Sequence, residues 1–166
     1  MNAAAATPVQ SALEATGVSF EVLSCDPTLA DTAVFCEDYA IPAKNSANTI
    51  VVGSKKGDRQ FVACVLLSNC RLDVNKTVRK KMGVRRLSFA SPEETRELTG
   101  MELGGVTPLA LPPELSLWVD QRVMQASYII LGGGNRSSKI KVSPDVFLHT
   151  PNTSIVDGLA LEITVD

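Results

Sequence analysis

Histidine is almost missing from this chain: His149 is the single one among 166 residues. A multi-histidine metal centre is therefore excluded, and a nucleophile–histidine pair has one residue to draw on. His149 itself reads as structural or solvent-exposed. Cysteine is sparse and poorly spaced, with 10, 27 and 5 residues separating Cys25, Cys36, Cys64 and Cys70 and no CxxC pair. That spacing predicts buried or free thiols in a reducing cytoplasm, not zinc or a disulfide framework. Long apolar runs are lacking too. The longest, Phe61 to Leu67, has strand length, whereas a membrane span needs about 20 apolar residues. The opening Met1-Asn2-Ala3-Ala4-Ala5-Ala6 has no basic n-region and too short an apolar stretch for a signal peptide. A cytoplasmic protein with no membrane partner is expected. GxGxxG, GxxxxGK[ST] and GxSxG are all absent, which argues against dinucleotide binding, nucleoside triphosphate binding and an α/β-hydrolase nucleophile.

What is present fits one globular domain spanning residues 1–166. The chain is 45% hydrophobic and 20% charged, with 16 basic against 18 acidic residues, so disorder is excluded. Thr7-Pro8 opens a first helix that Gly17 stops. Val18 to Leu23 alternates as a half-buried strand, and Leu29 to Tyr39 carries apolar residues at helical spacing. Ala47–Gly53 and Gln60–Leu67 form a hairpin whose nearly continuous apolar character predicts a central place in a sheet. Asp73 or Asn75 caps a helix from Lys76 to Met82, closed by Gly83, and Ser91-Pro92-Glu93-Glu94 opens another. Short strands are expected over 86–89, 115–119, 128–131 and 139–142. Ser143-Pro144-Asp145 starts a short helix, and Leu159 to Val165 is a final strand. About seven strands and five helices in mixed order predict an α+β, mixed α/β class rather than strict βαβ alternation.

Three features could carry chemistry. Two glycine-rich loops, Gly104-Gly105-Val106-Thr107-Pro108 and Gly132-Gly133-Gly134-Asn135-Arg136, allow close backbone approach to a ligand, although each alone reads equally as a turn. Lys76, Arg79, Lys80, Lys81, Arg85 and Arg86 form a basic cluster uninterrupted by acids. Such a run is either a solvated face or a phosphate-facing patch. The net charge of −2 argues against generic nucleic-acid binding, and no DNA partner is expected.

Several segments then carry a resemblance. Arg71-Leu72-Asp73, Lys80-Lys81-Met82-Gly83-Val84-Arg85-Arg86-Leu87, Ala90-Ser91-Pro92-Glu93-Glu94, Leu98-Thr99-Gly100 and Gly104 to Pro112 occur in that order. Tyr128-Ile129-Ile130-Leu131-Gly132-Gly133-Gly134 and Lys141-Val142-Ser143-Pro144 follow. Together they resemble the YbaK family, related to the editing domain inserted in bacterial prolyl-tRNA synthetases. The resemblance implies a single domain with a curved mixed β-sheet flanked by helices. It also implies hydrolysis of mischarged aminoacyl-tRNA in trans, without metal or cofactor, with the terminal ribose hydroxyl assisting the attacking water.

By that resemblance Gly105 aims backbone N–H groups at the ester, and Gly104, Thr107, Gly132, Gly133 and Gly134 help to bind ester and ribose. Lys76, Arg79, Lys80 and Lys81 face tRNA phosphates. The tRNA acceptor end is the partner, with an aminoacyl-tRNA synthetase as a second candidate. The family expects a lysine opening the strand after the second helix, in a Lys-Thr-hydrophobic run. Here the run is Asn48-Thr49-Ile50-Val51, so Asn48 takes the catalytic place with Thr49 beside it. Lys44, four residues earlier, is an alternative cation if 42–47 makes a helical turn. A side chain at Gly105 is expected to abolish activity while leaving the fold intact. The rival readings are a non-catalytic module that binds tRNA, a synthetase or a small molecule, and hydrolysis of a small ester unrelated to tRNA.

Overall fold

The structure, a computed structural model, describes residues 5–31, 36, 39–55, 58–101 and 105–163. Helix α1 (Thr7–Thr16) has Pro8 in its first turn and ends at Gly17, whose φ of +72° suits a residue without Cβ. Strand β1 (Phe20–Ser24) follows, then a 3-10 turn at Pro27–Leu29 whose cap, Asp26, accepts from Thr28 N–H. Of the helix expected over 29–39, residues 32–35, 37 and 38 lie outside the described residues.

The expected hairpin is β2 (Ala47–Ser54) and β3 (Phe61–Leu67). It occupies the middle of a five-stranded sheet, flanked by β5 (Leu87–Phe89) on one side and by β6 (Ser116–Asp120) and β9 (Thr153–Val156) on the other. β2 pairs antiparallel with β3 and β5, whereas β3–β6 and β6–β9 are parallel. A second sheet has β8 (Ser138–Val142) between β1 and β7 (Ile129–Gly132). A parallel bridge from Ser46 to Ile130 joins β7 to the start of β2, so the two sheets meet there as one mixed surface. Two short strands, β4 (Cys70–Leu72) and β10 (Ala160–Glu162), form a separate pair.

Alternation along the strands divides the apolar residues between two faces. On the inner face, Ala47, Val51, Ala63, Val65, Leu117 and Val119 meet Ile129, Leu131, Ile140 and Val142, with Val9 and Leu13 of α1 in the same core. On the outer face, Val52, Val62 and Cys64 are covered by Val78 and Leu159. Each such fully buried Leu or Ile contributes on the order of 1.5–3 kcal/mol. Burial in this dry layer pushes the Cys64 thiol up to about 12, which makes it a packing residue and not a nucleophile.

The segment expected as a helix over 76–82 has two windings. A π-type turn at Val74–Val78 leads into α2 (Arg79–Met82), closed by Gly83 at φ +70°. Asp73 stands at the cap position, but its carboxylate accepts from the Thr77 hydroxyl at 3.0 Å and not from backbone. Helix α3 (Pro92–Thr99) begins with the expected capping box, Ser91 and Glu94 each accepting the other's backbone N–H. The expected last strand is shorter, three residues, and 164–166 lie outside the described residues. Strands β4 and β9 and helix α4 (Gln121–Met124) were not expected: each is three or four residues long, below the length at which periodicity declares itself.

Ser91→Ala removes the cap of α3 and is expected to cost about 1 kcal/mol. At this chain length that lowers Tm by about 2–4 °C. Thermal unfolding followed by circular dichroism checks it, and an unchanged Tm would mean the capping box contributes nothing.

Candidate editing site

The two glycine-rich loops, which begin 28 positions apart in sequence, are pressed together. Gly134 N–H donates to the Gly105 carbonyl at 2.8 Å, and Ala6 N–H, just before α1, donates to the Gly133 carbonyl at 2.9 Å. A Cβ on Gly105 would stand 2.6 Å from the Asn135 carbonyl carbon, and one on Gly132 would stand 2.5 Å from the Val106 oxygen. On Gly133 it would run into Ser138, and Gly134, at φ +86°, lies against Val9 and Ala6. Gly105 and Gly132 are therefore required by backbone-to-backbone packing, whereas Gly133 and Gly134 make room chiefly for the side chains of Ser138, Val9 and Ala6. The Asn135 side chain fixes the turn beyond them, its Oδ1 accepting from Ser137 N–H and from the hydroxyls of Ser137 and Ser138.

The expectation that a side chain at Gly105 spares the fold is thus corrected. The obstruction at Gly105 is rigid backbone rather than a movable side chain. Gly104 lies outside the described residues. Thr107 is fully buried, its hydroxyl accepting from Leu109 N–H at 3.5 Å, so it shapes the loop from within the core.

Asn48 and Thr49 are neighbours on β2 and point to opposite faces. Thr49 shares the inner face of Ala47 and Val51, paired across from Val65. Asn48 is on the outer face with Val52, paired with Leu66. The helical turn invoked for Lys44 exists as a 3-10 turn at Ala43–Asn45. Asn45 is buried and anchors that turn by donating to the Tyr128 carbonyl at 3.0 Å. Lys44 is exposed and opens onto a groove shared with Asn69, Arg122, Gln125 and Glu162, which none of the other expected site residues lines.

Lys76, Arg79, Lys80 and Lys81 are all exposed on the π-turn and α2, as are Arg85 and Arg86 after it. Lys81 Nζ stands 5.2 Å from the centroid of the Trp118 ring, an attraction on the order of 0.5–1 kcal/mol at an exposed site. Val78 and Met82 seat this segment on the outer face, the face that carries Asn48. The basic cluster and Asn48 are brought to one side of the sheet.

One polar residue on that side was missed. Lys139, on β8, is buried, its Nζ donating to the Ala30 carbonyl at 2.7 Å. Desolvation pushes its pKa below the ordinary lysine value. Arg136 Nε and Nη2, from the turn before β8, donate to the Pro27 carbonyl at 3.1 and 2.8 Å, so Arg136 and Lys139 both hold the 27–31 segment. A lysine two residues from Lys141 in an alternating strand looks like a solvent-side pair, and nothing in the sequence announces the segment that covers one of them.

A family model described as the aminoacyl-tRNA editing domain matches residues 26–149, more than half of the chain. The chain belongs to the aminoacyl-tRNA editing domain family. Among its relatives, EbsC of Enterococcus faecalis, whose name proposes a Cys-tRNA(Pro)/Cys-tRNA(Cys) deacylase, is 27% identical over 69% of this chain. YwhH of Bacillus subtilis, an uncharacterized protein, is 30% identical over 54%. The matches span 65% and 55% of those relatives, less than two thirds of either. Two solved structures share the fold. The hypothetical protein APE2540 superposes with a TM-score of 0.81 at 24% identity, covering 93% of this chain and 99% of that one. A protein described as a proposed trans-editing enzyme for prolyl tRNA synthetase gives 0.74 at 24% identity, covering 90% and 93%. The mixed α+β class and the family resemblance read from the sequence both hold. Among the described residues, no helix is long and apolar enough to cross a membrane.

Gly105→Val is expected to cost about 1–3 kcal/mol through forced separation of the two loops. Differential scanning calorimetry reads this as a Tm several degrees lower, and a wild-type Tm would show that the loops part freely.

Proposed function

We propose that this editing-domain protein is a trans-acting aminoacyl-tRNA deacylase that removes a small mischarged amino acid from tRNA, without metal or cofactor. The observation that carries the reading is the shared outer face. Asn48 and the exposed basic segment over 76–86 occupy one side of the sheet. The carbonyls of Gly105 and Val106 lie against the Gly132 backbone at its edge. Family membership supports the same class of substrate.

The chemistry asks little of side chains. An aminoacyl ester is already activated, so the protein need only orient it, admit water and stabilise the oxygen on which negative charge develops. Asn48 has an amide that donates or accepts a hydrogen bond and is suited to a carbonyl or a ribose hydroxyl. Lys76, Arg79 and Lys80 would lie along acceptor-stem phosphates, contacting backbone and not bases. tRNA as the partner gives a cytoplasmic place of action, with a synthetase as the source of the mischarged substrate. The neutral Asn48 favours one second reading, a module of the same fold that binds charged tRNA and releases nothing.

A panel of mischarged tRNAs separates the two. Release of amino acid from some and not others is the expected result, and binding without release from any would establish the second reading. On a substrate that is cleaved, Asn48→Ala is expected to lower kcat/KM at least tenfold, about 1.4 kcal/mol of transition-state stabilisation. An unchanged rate would remove Asn48 from the reacting centre. Lys80→Glu with Lys81→Glu is expected to weaken binding about equally across tRNAs. Each lost phosphate contact should flatten the log–log salt dependence by about 0.7–0.9. Filter binding at several salt concentrations checks it, and an unaltered slope would make this face merely solvated.

A further inference from the structure

Beside the basic segment over 76–86 lies a groove of about 530 Å³, walled by the edge strand β5, the β4–β10 pair and the first residues of the π-turn. That volume is in the range that holds one small ligand-sized group. None of the residues assigned to the editing site above lines it. Phe89 of β5 pairs with Val52 of β2, and Leu87, two residues before it, packs with Val52 on the outer face. Alternation turns Phe89 to that side as well. Val78 and Leu159 cover Val52, but Phe89 lies beyond their cover, with 59% of its surface exposed.

The other wall carries charge. Leu161 of β10 and Arg71 of β4 are direct cross-strand partners, so their side chains stand on one side of the pair, and both are exposed. Lys55 also lines the groove, and its backbone N–H donates to the Arg86 carbonyl at 3.0 Å, which ties the groove to the end of the basic segment. Among the described residues, neither the Arg71 guanidinium nor the Lys55 ammonium enters an ion pair. Asp73 is the one acid among the lining residues, and its carboxylate accepts from the Thr77 hydroxyl. An exposed ring beside two free cations offers what an unpaired nucleotide needs, a face for its base and positive charge for its phosphate. A base within a duplex has both faces against its neighbours and cannot use the ring. A peptide strand added to the β5 edge would bind through backbone hydrogen bonds and gain nothing from the cations.

We propose that this groove holds an unpaired nucleotide from the 3′ end of tRNA, its base stacked on Phe89 and its phosphate against Arg71 and Lys55. This rests on tRNA being the substrate in the deacylase reading above, and it adds a grip on the single strand to the duplex contacts of the basic segment. Val52, the partner of Phe89, is four residues from Asn48 along β2, about 13 Å. With the acylated ribose at Asn48, the nucleotide on Phe89 is a neighbour upstream of the terminal one. Every base has a π-face, so stacking holds the strand without reading its sequence. Leu161 bounds the groove on the β10 side and limits the water that reaches the stacked ring.

The test reads binding of uncharged tRNA in two forms, intact and trimmed of its unpaired 3′ nucleotides. Phe89→Ala is expected to weaken binding of the intact form about tenfold and to leave the trimmed form unchanged. Phe89→Trp, which keeps a ring face, is expected to bind the intact form as tightly as wild type. A ring neutralises no phosphate, so Phe89→Ala should leave the log–log salt slope alone, whereas Arg71→Ala should flatten it by about 0.7. Unchanged affinity in Phe89→Ala, equal weakening toward both forms, or Phe89→Trp as weak as Phe89→Ala overturns the proposal. An edge that serves a peptide leaves both RNA affinities at wild-type values, and so overturns it too.

The two readings fail separately. Protein that shows these losses yet releases amino acid from no charged tRNA keeps the groove as an RNA site and sinks the deacylase reading. Protein that deacylates, with Phe89→Ala as tight as wild type on intact tRNA, does the reverse.

Discussion

Where the 105–107 loop meets the 132–135 turn, two backbones stand closer than any Cβ allows, held by the bond from Gly134 N–H to the Gly105 carbonyl. Much of the molecule hangs on this contact. It fixes the end of β7, and with it the register that puts Gly132 opposite Lys139. Through Ala6 and the Gly133 carbonyl it also sets the start of α1, whose Val9 and Leu13 fill the inner core. A loop of larger residues would have to stand off by a side-chain layer, and the helix, the turn and the strand end would each lose their common reference.

The strands divide duties between their two faces. The inner face is apolar and continuous through both sheets, and it supplies most of the burial. The outer face is interrupted: an apolar patch under the basic segment, then Asn48, then Lys139 beneath the 25–31 segment. Period-two alternation makes this division sharp, because one residue of slip would carry Asn48 and Lys139 into the core and Val51 and Ile140 out of it. Asn48 and Lys139 are therefore held by the same register that holds the hydrophobic core.

Much of this could be read in advance. The central hairpin, the capping box at Ser91 and the glycine stops at 17 and 83 each announce themselves by apolar runs or by local chemistry, and each stands where expected. The glycine loops were legible as unusual, but their meeting was not, because contact between residues 105 and 134 is a tertiary fact with no local signature. Strands β4 and β9 escaped because short, polar or half-exposed segments such as Thr153–Val156 have no periodicity to count. Thr49 was grouped with Asn48 by adjacency, although adjacency in a strand means opposite faces. Lys139 was hidden by chemistry itself: lysine reads as solvent, and only the segment that covers it shows otherwise.

The stacking of Lys81 on Trp118 has an optical consequence. Trp118 is the only tryptophan in the chain, so the ultraviolet emission of the folded protein comes chiefly from one indole, with an ammonium 5.2 Å from its ring centroid. Any polyanion that draws Lys81 away changes the field across that indole and shifts its colour. The protein thus carries, on the face proposed to meet RNA, its own fluorescent reporter of occupancy, and no dye need be attached to see it fill.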